Sequence, residues 1–127
     1  MSFPAGGQRV AQGSNFAVRI RQEGPISLLD VSGSLTSFEI GAFRESITRL
    51  LKQGRTQMLL NLKELQYLDS SGIGELARSY VSVVKQGGQM KVVGLSPKVD
   101  EVLKITQLYQ VFPEFPTEEE AMQSFSK

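Results

Sequence analysis

Met58-Leu59-Leu60-Asn61-Leu62, followed past Leu65-Gln66-Tyr67-Leu68 by Asp69-Ser70-Ser71-Gly72-Ile73-Gly74, joins two periodicities in one short stretch. The near-continuous apolar run suits a strand buried on both faces in the middle of a sheet. Asp and Ser then favour a helix start, and Gly permits a tight turn. From there Ile73, Leu76, Ala77, Tyr80, Val83 and Val84 recur at helical spacing. A buried strand that feeds an amphipathic helix is the repeating unit of an α/β sheet.

The same alternation extends to both sides. Upstream, Ile40, Phe43, Ile47, Leu50 and Leu51 recur at steps of three and four, with Arg44, Glu45, Arg49 and Lys52 on the other face. Gly54 and Gly87 follow these two helices at the position that favours a left-handed C′ residue, and Thr36 or Ser37 is available as the first helix's N-cap. Phe16, Val18 and Ile20 alternate with Ala17, Arg19 and Arg21; Glu23-Gly24-Pro25 breaks the pattern and residues 26–31 resume it, which reads as a hairpin. Downstream, Met90-Lys91-Val92-Val93 is a strand. Ser96-Pro97 caps a helix carrying Val99, Val102 and Leu103, and Thr117 with Glu120 forms a capping box before a short last helix that turns Ala121, Met122 and Phe125 inward.

The order is therefore β-β-α-β-α-β-α-α. Two successive β-α-β units require parallel pairing, and the opening hairpin adds an antiparallel strand. The expectation is an α/β fold in one domain over residues 15–127, built on a mixed four- to five-stranded sheet with helices mainly on one face. Residues 1–14, rich in Gly, Gln and Ser, read as a flexible tail.

The counts remove most chemistry. The chain has 127 residues, a size that fits a single domain, and it has no His and no Cys. A Ser-His-Asp triad, a thiolate nucleophile and His- or Cys-based metal sites are thereby excluded, and neither enzyme activity, metal nor cofactor is expected. Its 14 basic and 13 acidic residues give a net charge of +1, so no nucleic-acid partner and no membrane partner is expected. The opening residues lack a basic stretch followed by an apolar one, so a cytoplasmic location is the expectation.

The motif at residues 69–74 admits three readings. Asp69, Ser70 and Ser71 can simply cap the helix. A helix start at the carboxyl end of a parallel strand is also a place for anions, but the spacing Gly72-x-Gly74 meets neither the dinucleotide nor the P-loop fingerprint. Thirdly, a hydroxyl at a helix start is exposed, and a phosphate added there meets the helix's positive end. Nucleophilic catalysis by Ser70 lacks a base.

Asp69-Ser70-Ser71-Gly72-Ile73-Gly74, preceded by Leu60-Asn61-Leu62 and Tyr67-Leu68, resembles the signature of STAS domains in bacterial anti-sigma factor antagonists. The resemblance continues through residues 87–97 and Thr106-Gln107-Leu108, and covers about residues 16–126. It implies a partner switch. The unmodified protein would bind an anti-sigma factor that is also a serine kinase, phosphorylation of the serine after the Asp (Ser70 here) would switch that binding off, and a serine phosphatase would restore it.

By the same resemblance Asp69, Ser71, Gly72, Gly74, Thr36, Glu75 and Arg78 form the motif and its partner-binding surface, with Ser79 exposed beside them. Ser71 reads as a cap or turn residue, and Gly72 and Gly74 as structural positions that let a partner approach the backbone. One departure stands out: Thr36 in Gly33-Ser34-Leu35-Thr36 takes a place where many antagonists carry an acidic residue. Two alternatives remain open: a STAS adaptor subunit acting without phosphorylation, as in a lipid-transport assembly, and a small-molecule or nucleotide-sensing module.

Overall fold

The computed structural model describes residues 15–107 and 113–125, and the backbone of residues 7–13. The elements are β1 (Gly7–Gly13), β2 (Phe16–Glu23), β3 (Ile26–Leu35), α1 (Ile40–Lys52), β4 (Gln57–Leu68), α2 (Ser70–Lys85), β5 (Gln89–Val93), α3 (Pro97–Ile105), β6 (Glu114–Phe115) and α4 (Glu118–Ser124). They build one mixed sheet in the order β1-β2-β3-β4-β5-β6. β1, β2 and β3 pair antiparallel, and β3 to β6 pair parallel.

The α/β architecture and the hairpin are those expected; the sheet carries six strands because its edges extend further. Gly7–Gly13, inside the stretch that reads as a tail, pairs with Gly13 opposite Phe16 and Gly7 opposite Arg21. Main-chain pairing of this kind needs no apolar alternation, so composition does not announce it. β6 is only two residues long. Residues 1–6 and 14 of the expected tail, and Leu108 of the downstream segment, lie outside the described residues.

Two apolar layers sandwich the central strands. Leu29, Val31 and Leu35 of β3 and Met58, Leu60 and Leu62 of β4 face α1, α2 and α3, where they meet Phe43, Ile47, Leu50, Leu76, Val83, Val99 and Leu103. The opposite face gathers Ile26, Leu28, Leu59 and Val93 beneath Ala121 of α4 and Phe125, which caps its C-terminus. Among the described residues, the short α4 covers that second face, with Phe115 of β6 packed against it. Being covered twice explains why β4 opens on the buried run Met58-Leu59-Leu60 rather than an alternation.

The helix ends follow local rules. Gly54 (φ +78°) and Gly87 (φ +79°) are left-handed. Arg55 and Gly88 N–H return to the carbonyls of Leu50 and Val83, completing Schellman motifs. Ser96 caps α3 by accepting from Val99 N, and Thr117 caps α4 by accepting from Glu120 N. α1 departs from expectation: its N-cap residue is Glu39, with no side-chain cap bond, and Thr36 and Ser37 lie in the turn before it.

Candidate functional site

The carboxyl ends of the neighbouring parallel strands β3 and β4 lead into the turn at residues 36–39 and the start of α2. Asp69 ties these two segments together. Its backbone is extended (φ −101°, ψ −171°), and its Oδ1 accepts a hydrogen bond from Gly72 N at 2.9 Å, the cap of α2. Its Oδ2 accepts from Ser37 N at 3.4 Å, and its own N–H donates to Leu35 O at 3.4 Å. Both carboxylate oxygens thus face backbone amides, an anchoring role.

Ser70, the first residue of α2, is exposed, and Ser71 is half-buried. Gly72 is buried against the chain itself: a Cβ there would lie 2.1 Å from Leu35 O. Gly72 is structural, as expected, but the space a side chain would need is filled by the end of β3, so the expectation that it lets a partner approach is corrected. Gly74 is exposed with open space around it.

Glu75 and Ser79 correct the sequence expectation more sharply. Both are 3% exposed. Arg44 of α1 reaches Glu75 with two hydrogen bonds, Nε to Oε2 at 3.1 Å and Nη2 to Oε1 at 2.7 Å, and Arg78 Nε lies 3.6 Å from Oε1. The Glu75 carboxylate raises the pKa of Arg44 above its ordinary value, chiefly through these hydrogen bonds. Glu75 is thus an interhelical tie, while Arg78 stays exposed. The Ser79 hydroxyl donates to Leu76 O at 2.8 Å. The expected exposure of Glu75 fails because the cation that makes it buriable, Arg44, comes from another helix.

Thr36 begins the neighbouring turn. Its N–H donates to Glu39 Oε1 at 3.0 Å, and its hydroxyl donates to the same oxygen at 2.5 Å. Two residues on, Phe38 is 92% exposed. Sequence reasoning passed over Phe38; the available signal was a large apolar residue set among Thr, Ser and Glu, before the periodic positions of α1 begin.

The structure therefore brings Asp69, Ser70, Gly72 and the Thr36–Glu39 turn to one edge of the sheet, and keeps Glu75 and Ser79 out of the exposed surface. An α/β domain that offers an exposed serine at the capped start of a helix is the class of arrangement these residues define. The STAS domain family model matches residues 17–121, and the chain belongs to that family.

Two bacterial relatives align with most of its length. The anti-sigma F factor antagonist of Paenibacillus polymyxa is 25% identical over 109 residues, spanning 85% of this chain and 93% of the relative. The anti-sigma-B factor antagonist of Bacillus subtilis is 28% identical over 97 residues, spanning 76% and 88%. Among solved structures, an anti-sigma factor antagonist from Mycobacterium paratuberculosis superposes with a TM-score of 0.80 at 21% identity, covering 92% of this chain and 99% of that one. The antagonist SpoIIAA in its unphosphorylated form gives 0.75 at 23% identity, covering 87% and 96%. Its phosphorylated form, from Bacillus, gives 0.68 at 22% identity, covering 86% and 99%. Among the described residues no helix is long and apolar enough to cross a membrane.

Proposed function

We propose that this protein is an anti-sigma factor antagonist whose binding to an anti-sigma factor with serine-kinase activity is switched off by phosphorylation of Ser70. The observation that carries the reading is the exposed hydroxyl of Ser70 at the start of α2, directly after Asp69, in a chain related in sequence to two anti-sigma factor antagonists. SpoIIAA, a structural neighbour, occurs in both a phosphorylated and an unphosphorylated form, which supports a modified state for this chain. The protein acts by being bound, in the cytoplasm, and needs no catalytic group of its own; a serine phosphatase returns it to the binding form.

The physical switch is local. A phosphoserine carries about −1.5 to −2 charges at neutral pH. Placed beside Asp69, it concentrates negative charge on the docking edge, and desolvating that charge opposes association. The cap of α2 is already made by Asp69, so the fold itself need not change.

Incubation with the anti-sigma kinase and ATP, followed by mass mapping of the phosphate, tests the assignment. Phosphate on Ser70, and its loss in Ser70→Ala, is the expected result. Phosphate appearing in Ser70→Ala at the same stoichiometry contradicts it.

A further inference from the structure

The sheet face that carries α4 changes character along its strands. Around Leu28 and Leu59 it is apolar and covered by α4. Toward the carboxyl ends of β3 and β4 it turns polar and holds a cavity of about 350 Å³, a size found among small-ligand pockets. Register explains which side chains meet there. Arg19 lies opposite Asp30, and Asp30 opposite Asn61, so the three form one row across β2, β3 and β4. Beyond that row β4 carries an extra residue, since Ser32 pairs with Glu64 rather than Lys63. Asn61 holds this bulge: its Oδ1 accepts the Lys63 N–H at 3.0 Å. Gly94 (φ +75°) leaves room for both, because a Cβ there would lie 3.1 Å from Asn61 Oδ1 and from Lys63 Cβ. A bulge re-aims side chains, and this one brings Lys63 and Glu64 into the cavity wall with Arg19 and Asn61.

We propose that this cavity binds a small organic anion, a carboxylate or a phosphate ester, whose acid group sits between Arg19 and Lys63 and accepts from Asn61 Nδ2. The donors are uncommitted. Among the described residues, no hydrogen bond or ion pair engages the side chains of Arg19 and Lys63 or the Nδ2 of Asn61. Asn61 is already fixed through its oxygen, so its donor is presented with little further ordering. The acid in the middle of the row does not oppose an anion, because both Asp30 oxygens accept from Arg21, at 2.8 and 2.9 Å. Two cations then stand against one uncommitted carboxylate, Glu64, which leaves the cavity an excess of positive charge. A guanidinium and an ammonium reaching in from β2 and β4, either side of β3, suit a single acid group. Glu64 accepts from a hydroxyl or amino group, so the ligand carries such a donor beside its acid. The site is separate from the Ser70 edge: Leu29, Val31, Leu60 and Leu62, which alternate with Asp30 and Asn61, face α1, α2 and α3 instead.

NMR titration of the isotopically labelled full chain with glycerol phosphate and, separately, with malate tests the site, since each molecule carries an acid group and a hydroxyl. Saturable shifts of the backbone amides of Arg19, Asn61, Lys63 and Glu64, and of the Asn61 side-chain amide, are expected with at least one of the two. The Kd should be ~1 mM or tighter, and the molecule that responds identifies the acid group. Arg19→Gln and Lys63→Gln should each weaken that binding by about 10-fold, the scale of one charge-assisted contact. Asn61→Asp keeps an oxygen for the Lys63 N–H, so its melting temperature should match wild type. It replaces the free donor with a carboxylate, however, and should weaken binding by about 10-fold or more. Arg49→Gln, which removes an exposed cation from α1, should bind as wild type. No saturable shift with either molecule would overturn the site, and so would shifts centred on the start of α2. Equal losses in Arg49→Gln and Arg19→Gln would overturn it as well, by showing attraction to charge in general.

Discussion

At the scale of single residues, position on α2 separates roles that composition leaves merged. Ser70 faces solvent, Ser71 is half-buried and Gly72 is enclosed, although the three are consecutive. The close approach of Leu35 O makes Gly72 the residue least tolerant of change. Gly72→Ala must push the end of β3 away from α2, and should cost about 2–3 kcal/mol of unfolding free energy in denaturant titrations, the usual scale of overpacking. Asp69→Ala removes the cap and should cost about 1 kcal/mol, whereas Asp69→Asn keeps an oxygen acceptor and should cost less. For Ser70, stability and binding separate. Ser70→Asp should melt close to wild type but fail to capture the partner, and Ser70→Ala should capture it constitutively.

Helices and strands show which information is local. The stops at Gly54 and Gly87, the cap at Ser96 and the cap at Thr117 were legible because each depends on a few adjacent residues. Gly87→Ala should destabilise by about 1 kcal/mol, the cost of forcing a Cβ into the left-handed region. The parallel order of the central strands was legible too, since strand–helix–strand connections allow little else.

What stayed hidden depends on partners distant in sequence. Glu75 lies beside Leu76 on the buried side of α2 because Arg44, 31 positions away in the chain, neutralises it. A charge at that spacing reads as solvent-facing until α1 is packed. Glu75→Ala should therefore lower the melting temperature through loss of the α1–α2 tie, and leave the rate of Ser70 phosphorylation unchanged. A strong fall in phosphorylation with an unchanged melting temperature would return Glu75 to the docking surface. The exposure of Phe38 was equally hidden, since it depends on how the turn closes over Thr36 and Asp69.

Across the whole molecule, the two sheet faces carry different duties. The face under α1, α2 and α3 contains most of the core and positions the Ser70 edge. The other is closed by α4, held by Phe125 and Ala121 and by polar ties at its ends. Arg21 bonds Asp30 and Glu118, which raise its pKa against the opposing effect of burial. Lys91 donates to Ser124 at 2.7 Å and lies 4.5 Å from the centre of the Phe125 ring; desolvation lowers its pKa. Phe125→Ala should cost about 3 kcal/mol and speed hydrogen exchange in α4. Protection of α2 should persist, since the two helices lie on opposite faces. A net charge of +1 leaves the surface without a dominant field, so two added charges at one serine are a large local change.

The most direct test of the central claim is the ratio of partner Kd values for the unmodified and the Ser70-phosphorylated chain, measured by calorimetry on the same preparation. Binding weaker by about two orders of magnitude in the phosphorylated form, or ~3 kcal/mol, is the result the account predicts. Equal affinities for the two forms would contradict it.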